Sequence, residues 1–594
     1  MKILFEGYNY QNSPAAFSLA EKDGWLDSKG IISAVGYYYS DPHKDTVIIL
    51  PKVFLKKQGN ELLAFGNLSP DKVFNFPDGL TPEQEKMVFE MSTLLFRAIC
   101  RYKRSVESSA VEGGRKLYQT STNPGRKKDE KTYLETILAL YDFYKENQGF
   151  ITFVTRYNHS GNSNIQWDKT ISSGQALIQE GQPVYMDFVT REKAINLDEE
   201  VIVLLLSTLR WLRHEGYLFD ISSPFNYNLL PLAKVRSLVN GAGVRYLNRI
   251  RHKYYNDTLV AMWQLLYVFY SKCAKIAKGD YKENPLVIRK FNNVFEDMID
   301  SIITDRDLFN DNTGFKEFKS MKIQEDGKLV DHLYHERSLF SKDEIIYVGD
   351  SKYYRDDNEV IGKSVGKQYT YARNVIQVNM NHLITHNQWL TICGKELRYR
   401  DSVTEGYDFT PNFFIRSSID FENDFDWKKP KLLHDQYASE FEGTMHFRNR
   451  LFDRDTLYIQ TIDVNFMYVL QYYACGRKNE KVSKEFKAVI RRAIVDSLKA
   501  KYDFYLVTIT DPIYSSLRSE ERTSYVLAQF SECHGRMFCP EENKGVFILA
   551  LEKGCSENSF ILSSIDLKAG FAIREDADLT PFGGIVPKTI SSTN

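Results

Sequence analysis

Between Phe291 and Ile303 the apolar residues fall at Phe291, Val294, Phe295, Met298, Ile299, Ile302 and Ile303, a single stripe of an amphipathic helix. Glu296 stands one position round from that stripe, at its border. The period then changes. "GKLVDHLYHE" predicts a strand carrying Asp331, "SKDE" a turn, and "EIIYVGDSKYY" a second strand that is apolar until its end. "GKSVGKQYTYARNVIQ" returns to helical spacing, with Gln368 and Tyr371 one turn apart.

Short β-rich pieces separated by Asp, Pro and Gly fill the chain before about residue 75. A helix is expected from Pro82 and another near "EKTYLETILALYDFYKEN", followed by a strand pair in "GFITFVTRYNHSGNSNIQWDKTI" and a long helical region over about 197–305. Later, helices are expected at "TIDVNFMYVLQYYACG" and "EKVSKEFKAVIRRAIVDSLKAKY". The expected organisation is an N-terminal β-rich and helical region (1–155), a strand pair and helical region open to a binding partner (156–284), an α/β core (285–400), a helical region (401–500) and a C-terminal β-rich module (501–594).

The polar end of the second strand raises the chemical question. Residues two apart on a strand share a face, so Asp350 and Lys352 project together. Burying such a pair is costly without partners. It is either a structural ion pair or half of a metal-dependent site. A hairpin would bring Asp331 to the same end, and paired carboxylates suit Mg²⁺, which takes one or two protein carboxylates beside waters and phosphate oxygens. Phosphodiester hydrolysis is the reaction such a set serves, with a lysine orienting the attacking water and offsetting developing charge. An Asp-x-Lys triplet alone arises often by chance; the ordered set of four elements is more specific.

Composition narrows the classes. With 43% hydrophobic and 14% aromatic residues the chain can bury several cores, and a net charge of −1 confines any polyanion contact to local basic patches. Seven scattered cysteines fit a reducing cytoplasm. "MKILFEGYNY" lacks a signal-peptide core, and "VIVLLLSTLRWL" is interrupted by Ser207 and Arg210, so a cytoplasmic protein with no membrane span is expected.

Glu296 on a helix, Asp331 and Asp350-x-Lys352 on strands, and Gln368 on the next helix resemble, in that order, the PD-(D/E)XK nuclease core, with Asp350 in place of the commoner Glu and no Pro before Asp331. "NSNIQWDKTI" is similar to the W-x-x-T-I element of LlaJI-type restriction proteins, "VGYYYSDPHKDTVIILPKVF" to their N-terminal strand pair, and "HFRNRLFDRDTLYIQTIDVNFMYVLQYYA" to a segment of longer members. "VFEDMID" resembles the McrC nuclease subunits. The resemblance implies an α/β multidomain protein with a restriction-endonuclease-like α/β core, set between a β-rich and helical N-terminal region and a helical plus β-rich C-terminal region. It further implies a metal-dependent DNA endonuclease of a restriction, anti-phage system. Mg²⁺, for which Mn²⁺ substitutes, would be held by Asp331 and Asp350 with help from Glu296. Lys352 would serve the water, and Gln368 would support the site. A McrB-like AAA+ GTPase or ATPase is the implied partner; a homo-oligomer is left open.

Other motifs are weaker. Basic clusters at Arg115/Lys116, Arg126 to Lys128, Arg245/Arg249/Arg251/Lys253 and Lys428/Lys429/Lys431 suit phosphate contact or a solvated helix face equally. Cys533, His534 and Cys539 match no standard zinc spacing, and His214-Glu215 lacks the second His of a zinc protease. "RLFDRDTLY" reads as a charge network or inter-domain latch sooner than a second active site. There is no G-x-x-x-x-G-K-[ST], so any motor must be a separate protein. The rival reading is a non-catalytic DNA-binding or scaffolding subunit of a defence complex.

Overall fold

The computed structural model describes residues 1–40, 45–76, 78–109, 132–159, 161–217, 219–283, 285–303, 330–354, 362–392, 395–419, 421, 431–432, 441, 443–445, 447–476, 480–541, 545–566 and 571–573. Its architecture is mixed α/β. The N-terminal strands Lys2–Phe5, Val35–Ser40 and Asp45–Leu50 join Leu286–Ile288 in one sheet, and the helices Pro82–Ser109, Tyr133–Glu146, Glu200–His214 and Asp257–Lys278 follow the early strands. The expected strand pair at 149–171 forms differently. Strand Phe153–His159 pairs with Val189–Ile195, and the W-x-x-T-I element becomes the short helix Trp167–Ser173. That helix is pinned by buried Thr170, which accepts the Val189 N–H at 2.9 Å.

The central unit begins with α1 (Asn292–Ile303), whose buried face is Val294, Phe295, Met298, Ile299, Ile302 and Ile303, as the apolar spacing requires. It continues through β1 (His332–Arg337), β2 (Glu344–Lys352), α2 (Gly362–His386), β3 (Asn412–Ser418), β4 (Gly443–Met445) and β5 (Leu457–Asn465). The sheet order is β1-β2-β3-β5-β4. β1 is antiparallel to β2, β2, β3 and β5 run parallel, and β4 is antiparallel to β5. Parallel strands in a covered sheet read as continuous apolar runs, and β2 fits this, buried from Glu344 to Ser351.

The sheet takes two of its parallel strands from beyond residue 400. The stretch "TIDVNFMYVLQYYACG" accordingly divides. Thr461 to Asn465 end β5, and the helix α3 (Phe466–Cys475) starts only after Asn465, whose side chain caps it by accepting the Met467 N–H at 3.0 Å. The helix α4 (Glu480–Lys501) leads into strand Tyr502–Ile509 of the C-terminal sheet, whose other strands are Met537–Glu541, Val546–Glu552 and Phe571–Ile573. Among the described residues no helix is long and apolar enough to cross a membrane.

Candidate active site

The hairpin register decides where the carboxylates stand. His332 pairs with Gly349, which sets Asp331, one residue before β1, beside Asp350 near the end of β2. Asp331 Oδ2 accepts the N–H of Ser351, the residue after Asp350, at 3.1 Å. Burial, then the charges of Asp350 and Glu296, hold the Asp331 carboxyl well above the usual carboxylate range. The Lys352 ammonium touches the Asp350 carboxylate and lies 5.0 Å from the centre of the Phe414 ring. In the next strand Phe414 is the register partner of Asp350, and Arg416 that of Lys352. Arg416 is in turn gripped by Asp463 through two bonds, 2.6 and 2.8 Å.

Glu296 reaches this end of the sheet from α1. Burial raises its carboxyl above the ordinary range; His332 opposes that shift and Asp350 adds to it. Its hydrogen bond, however, goes to Asn292 on its own helix, at 3.4 Å. Among the described residues no three His, Cys, Asp or Glu side chains converge to hold one ion. The Asp331–Asp350 pair still fits Mg²⁺, which needs only one or two protein carboxylates. Burial and the neighbouring carboxyls hold Asp331 and Glu296 towards their neutral forms, and a cation between them would favour the ionised carboxylates.

Gln368 occupies a different place from the carboxylates. Fully buried on α2, it donates to the Val348 carbonyl at 3.2 Å and to Asn412 Oδ1 at 2.6 Å, tying β2 to β3 two residues before Asp350. His332 was not anticipated as a site residue. Its ring is fully buried between Asp300 and Ser351. The available signal was a histidine directly after Asp331 inside an apolar strand.

The remaining motifs have plainer roles. Cys533 and Cys539 are buried thiols, not joined in a disulfide. "RLFDRDTLY" joins parts of the fold. Asp455 pairs with Arg373 of α2 at 3.4 Å, and the Phe452 N–H donates to Gly535. Just before it, Asn449 bonds Glu552 and Glu557 of the C-terminal part, each at 2.8 Å. Arg245, Arg249, Arg251 and Lys253 are exposed. The clusters at Arg115/Lys116 and Arg126 to Lys128, together with Lys428 and Lys429, lie outside the described residues.

Residues 69–398 match the family described as LlaJI restriction endonuclease. The chain belongs to that family. The matched stretch contains Glu296, Asp331, Asp350, Lys352 and Gln368, and stops short of β3 and β5, which complete the sheet beside them. Membership in the LlaJI family makes the chain a DNA endonuclease of a restriction system, with DNA as its substrate. No curated protein matches the chain.

Proposed function

We propose that the chain cuts foreign DNA by Mg²⁺-dependent phosphodiester hydrolysis at the Asp331–Asp350–Lys352 end of a PD-(D/E)XK core, as the cytoplasmic nuclease subunit of an anti-phage system. The observation that carries this reading is the hairpin register, with His332 opposite Gly349, which brings Asp331 beside Asp350 at one strand end, where Lys352 touches Asp350. Asp331 and Asp350 would hold the ion, with Glu296 adding negative charge from α1. When bound, the ion supplies an activated water and balances phosphate charge. Lys352 orients that water and offsets charge developing on the phosphate. Gln368 ties β2 to β3 and so steadies the strand that carries Asp350 and Lys352.

A separate McrB-like AAA+ NTPase is the proposed partner, from the likeness of "VFEDMID" to the McrC nuclease subunits. The exposed Arg245, Arg249, Arg251 and Lys253 suit contacts with the DNA backbone.

The test is nicking of plasmid DNA by the purified chain, with and without a cognate NTPase. Cleavage that needs Mg²⁺ or Mn²⁺, stops in EDTA and is absent from Asp350→Ala supports the proposal. DNA binding without cleavage under all these conditions favours a scaffolding subunit. Cutting at a defined sequence by this chain alone, without nucleotide, removes the motor from the reading.

A further inference from the structure

Behind the carboxylate pair lies a second set of polar groups, on the face of the hairpin that packs against α1. The fully buried His332 ring has Nδ1 2.6 Å from Asp300 Oδ1 and Nε2 2.5 Å from Ser351 Oγ. An ionised carboxylate can only accept, so Asp300 fixes the proton on Nδ1 and sets the ring's orientation. Ser351 is the residue between Asp350 and Lys352, and its own N–H holds Asp331 Oδ2 at 3.1 Å. His332 itself directly follows Asp331.

One imidazole thus grips both strands at the point where each presents its carboxylate. The cross-strand neighbour leaves room for it. A Cβ at Gly349 would lie 3.3 Å from His332 Cβ and 2.7 Å from the Phe413 ring, so a side chain there would crowd both.

We infer that Asp300, His332 and Ser351 form a positioning chain for the active site, in which His332 fixes the spacing of Asp331 and Asp350 through Ser351. This rests on the proposal that the two aspartates hold the metal. No substrate contact is assigned to His332. Its effect runs through the geometry of the carboxylates, and groups placed in this way govern metal affinity more than DNA affinity.

The experiment uses the full chain with Asp300→Ala, Asp300→Asn, His332→Ala and Ser351→Ala, and with Asp350→Ala as the control. Mn²⁺ binding is measured by titration calorimetry, folding by thermal melting, and cleavage as kcat and KM for DNA. The expected result is a ~10–100-fold loss of Mn²⁺ affinity or of kcat in Asp300→Ala and His332→Ala. KM should hold, and Asp300→Asn, which keeps an acceptor for Nδ1, should recover most of the loss.

Parental Mn²⁺ affinity and kcat in His332→Ala overturn the inference. So do losses that only follow the fraction of folded protein, or covalent capture of Ser351 by a fluorophosphonate, which would make that hydroxyl a nucleophile. The control separates the two readings. If Asp350→Ala still binds Mn²⁺ and cuts, the carboxylate reading fails; if Asp350→Ala is dead while His332→Ala is unimpaired, only the positioning chain fails.

Discussion

The Tyr353 hydroxyl donates to the Glu6 carboxylate at 2.5 Å, joining residues 347 positions apart. Tyr353 follows Lys352, and its ring packs against Phe291 and Phe295 at 5.3 and 6.1 Å between centroids. Glu6 also accepts the Lys52 N–H at 3.1 Å, and Lys52 Nζ lies 4.7 Å from the Tyr353 ring centre. The N-terminal sheet thereby holds the strand end that carries the site.

Tyr353→Phe should therefore destabilise the protein by ~1–3 kcal/mol, because it strips a partner from a buried carboxyl that burial has already raised. Urea unfolding checks the size. Glu6→Gln combined with Tyr353→Phe should cost less than the sum of the single changes, since both act on one contact. Strict additivity would show the two residues to be independent.

Asp331→Asn should abolish cleavage yet raise the melting temperature of the metal-free protein at neutral pH. The sign follows from the raised Asp331 carboxyl. Between its unfolded and folded titration ranges the folded state binds more protons, so stability falls as pH rises. The gain over the parent should shrink toward pH ~4, where both forms carry a neutral side chain. Added Mg²⁺ should narrow it as well, by binding the parent alone. A lower melting point at neutral pH would mark Asp331 as a structural ion-pair member.

Lys352→Met should slow cleavage by about 10²-fold or more, several kcal/mol of transition-state stabilisation, with DNA affinity nearly unchanged. Methionine keeps the length and loses the charge. Single-turnover cleavage and DNA binding, measured on the same preparation, check it. A variant that cuts near the parental rate takes Lys352 out of the site.

Gln368→Leu should cost ~1–3 kcal/mol of stability by leaving the Val348 carbonyl and Asn412 Oδ1 without their donor. Cleavage should fall less than in Lys352→Met, because Gln368 joins the strands and does not touch the carboxylates. Thermal melting beside cleavage rates separates the two roles.

The sequence made the helix at 291–303 and the Asp331/Asp350 hairpin legible because each rests on a local period with a single outcome. A seven-residue apolar stripe allows one buried face, and a polar turn between two apolar runs allows one hairpin. The division at Asn465 was hidden, since "TIDVNFMYVLQYYACG" is apolar at both strand and helix spacing and only the cap inside it marks the change. His332 was hidden for another reason. Its partners, Asp300 and Ser351, stand on other elements, and nothing in the order of residues announces that three polar groups meet behind an apolar strand. The partners of Phe153–His159 were missed because its mate, Val189–Ile195, comes from well beyond the polar turn that suggested a local pair.

One apolar core runs from Met1 through Phe54, Phe295, Ile346 and Phe466 to Ala550. Phe54, from the N-terminal part, sits 5.7 Å from Phe466 at the start of α3, and Phe340, in the turn of the hairpin, lies 5.7 Å from Phe504 in the C-terminal sheet. A gene fragment trimmed to the central sheet would lay bare raw apolar surface on two sides, and should be recovered as inclusion bodies. Recombinants that join a segment of this chain to another protein's should rarely fold, because each junction would cut through that shared core.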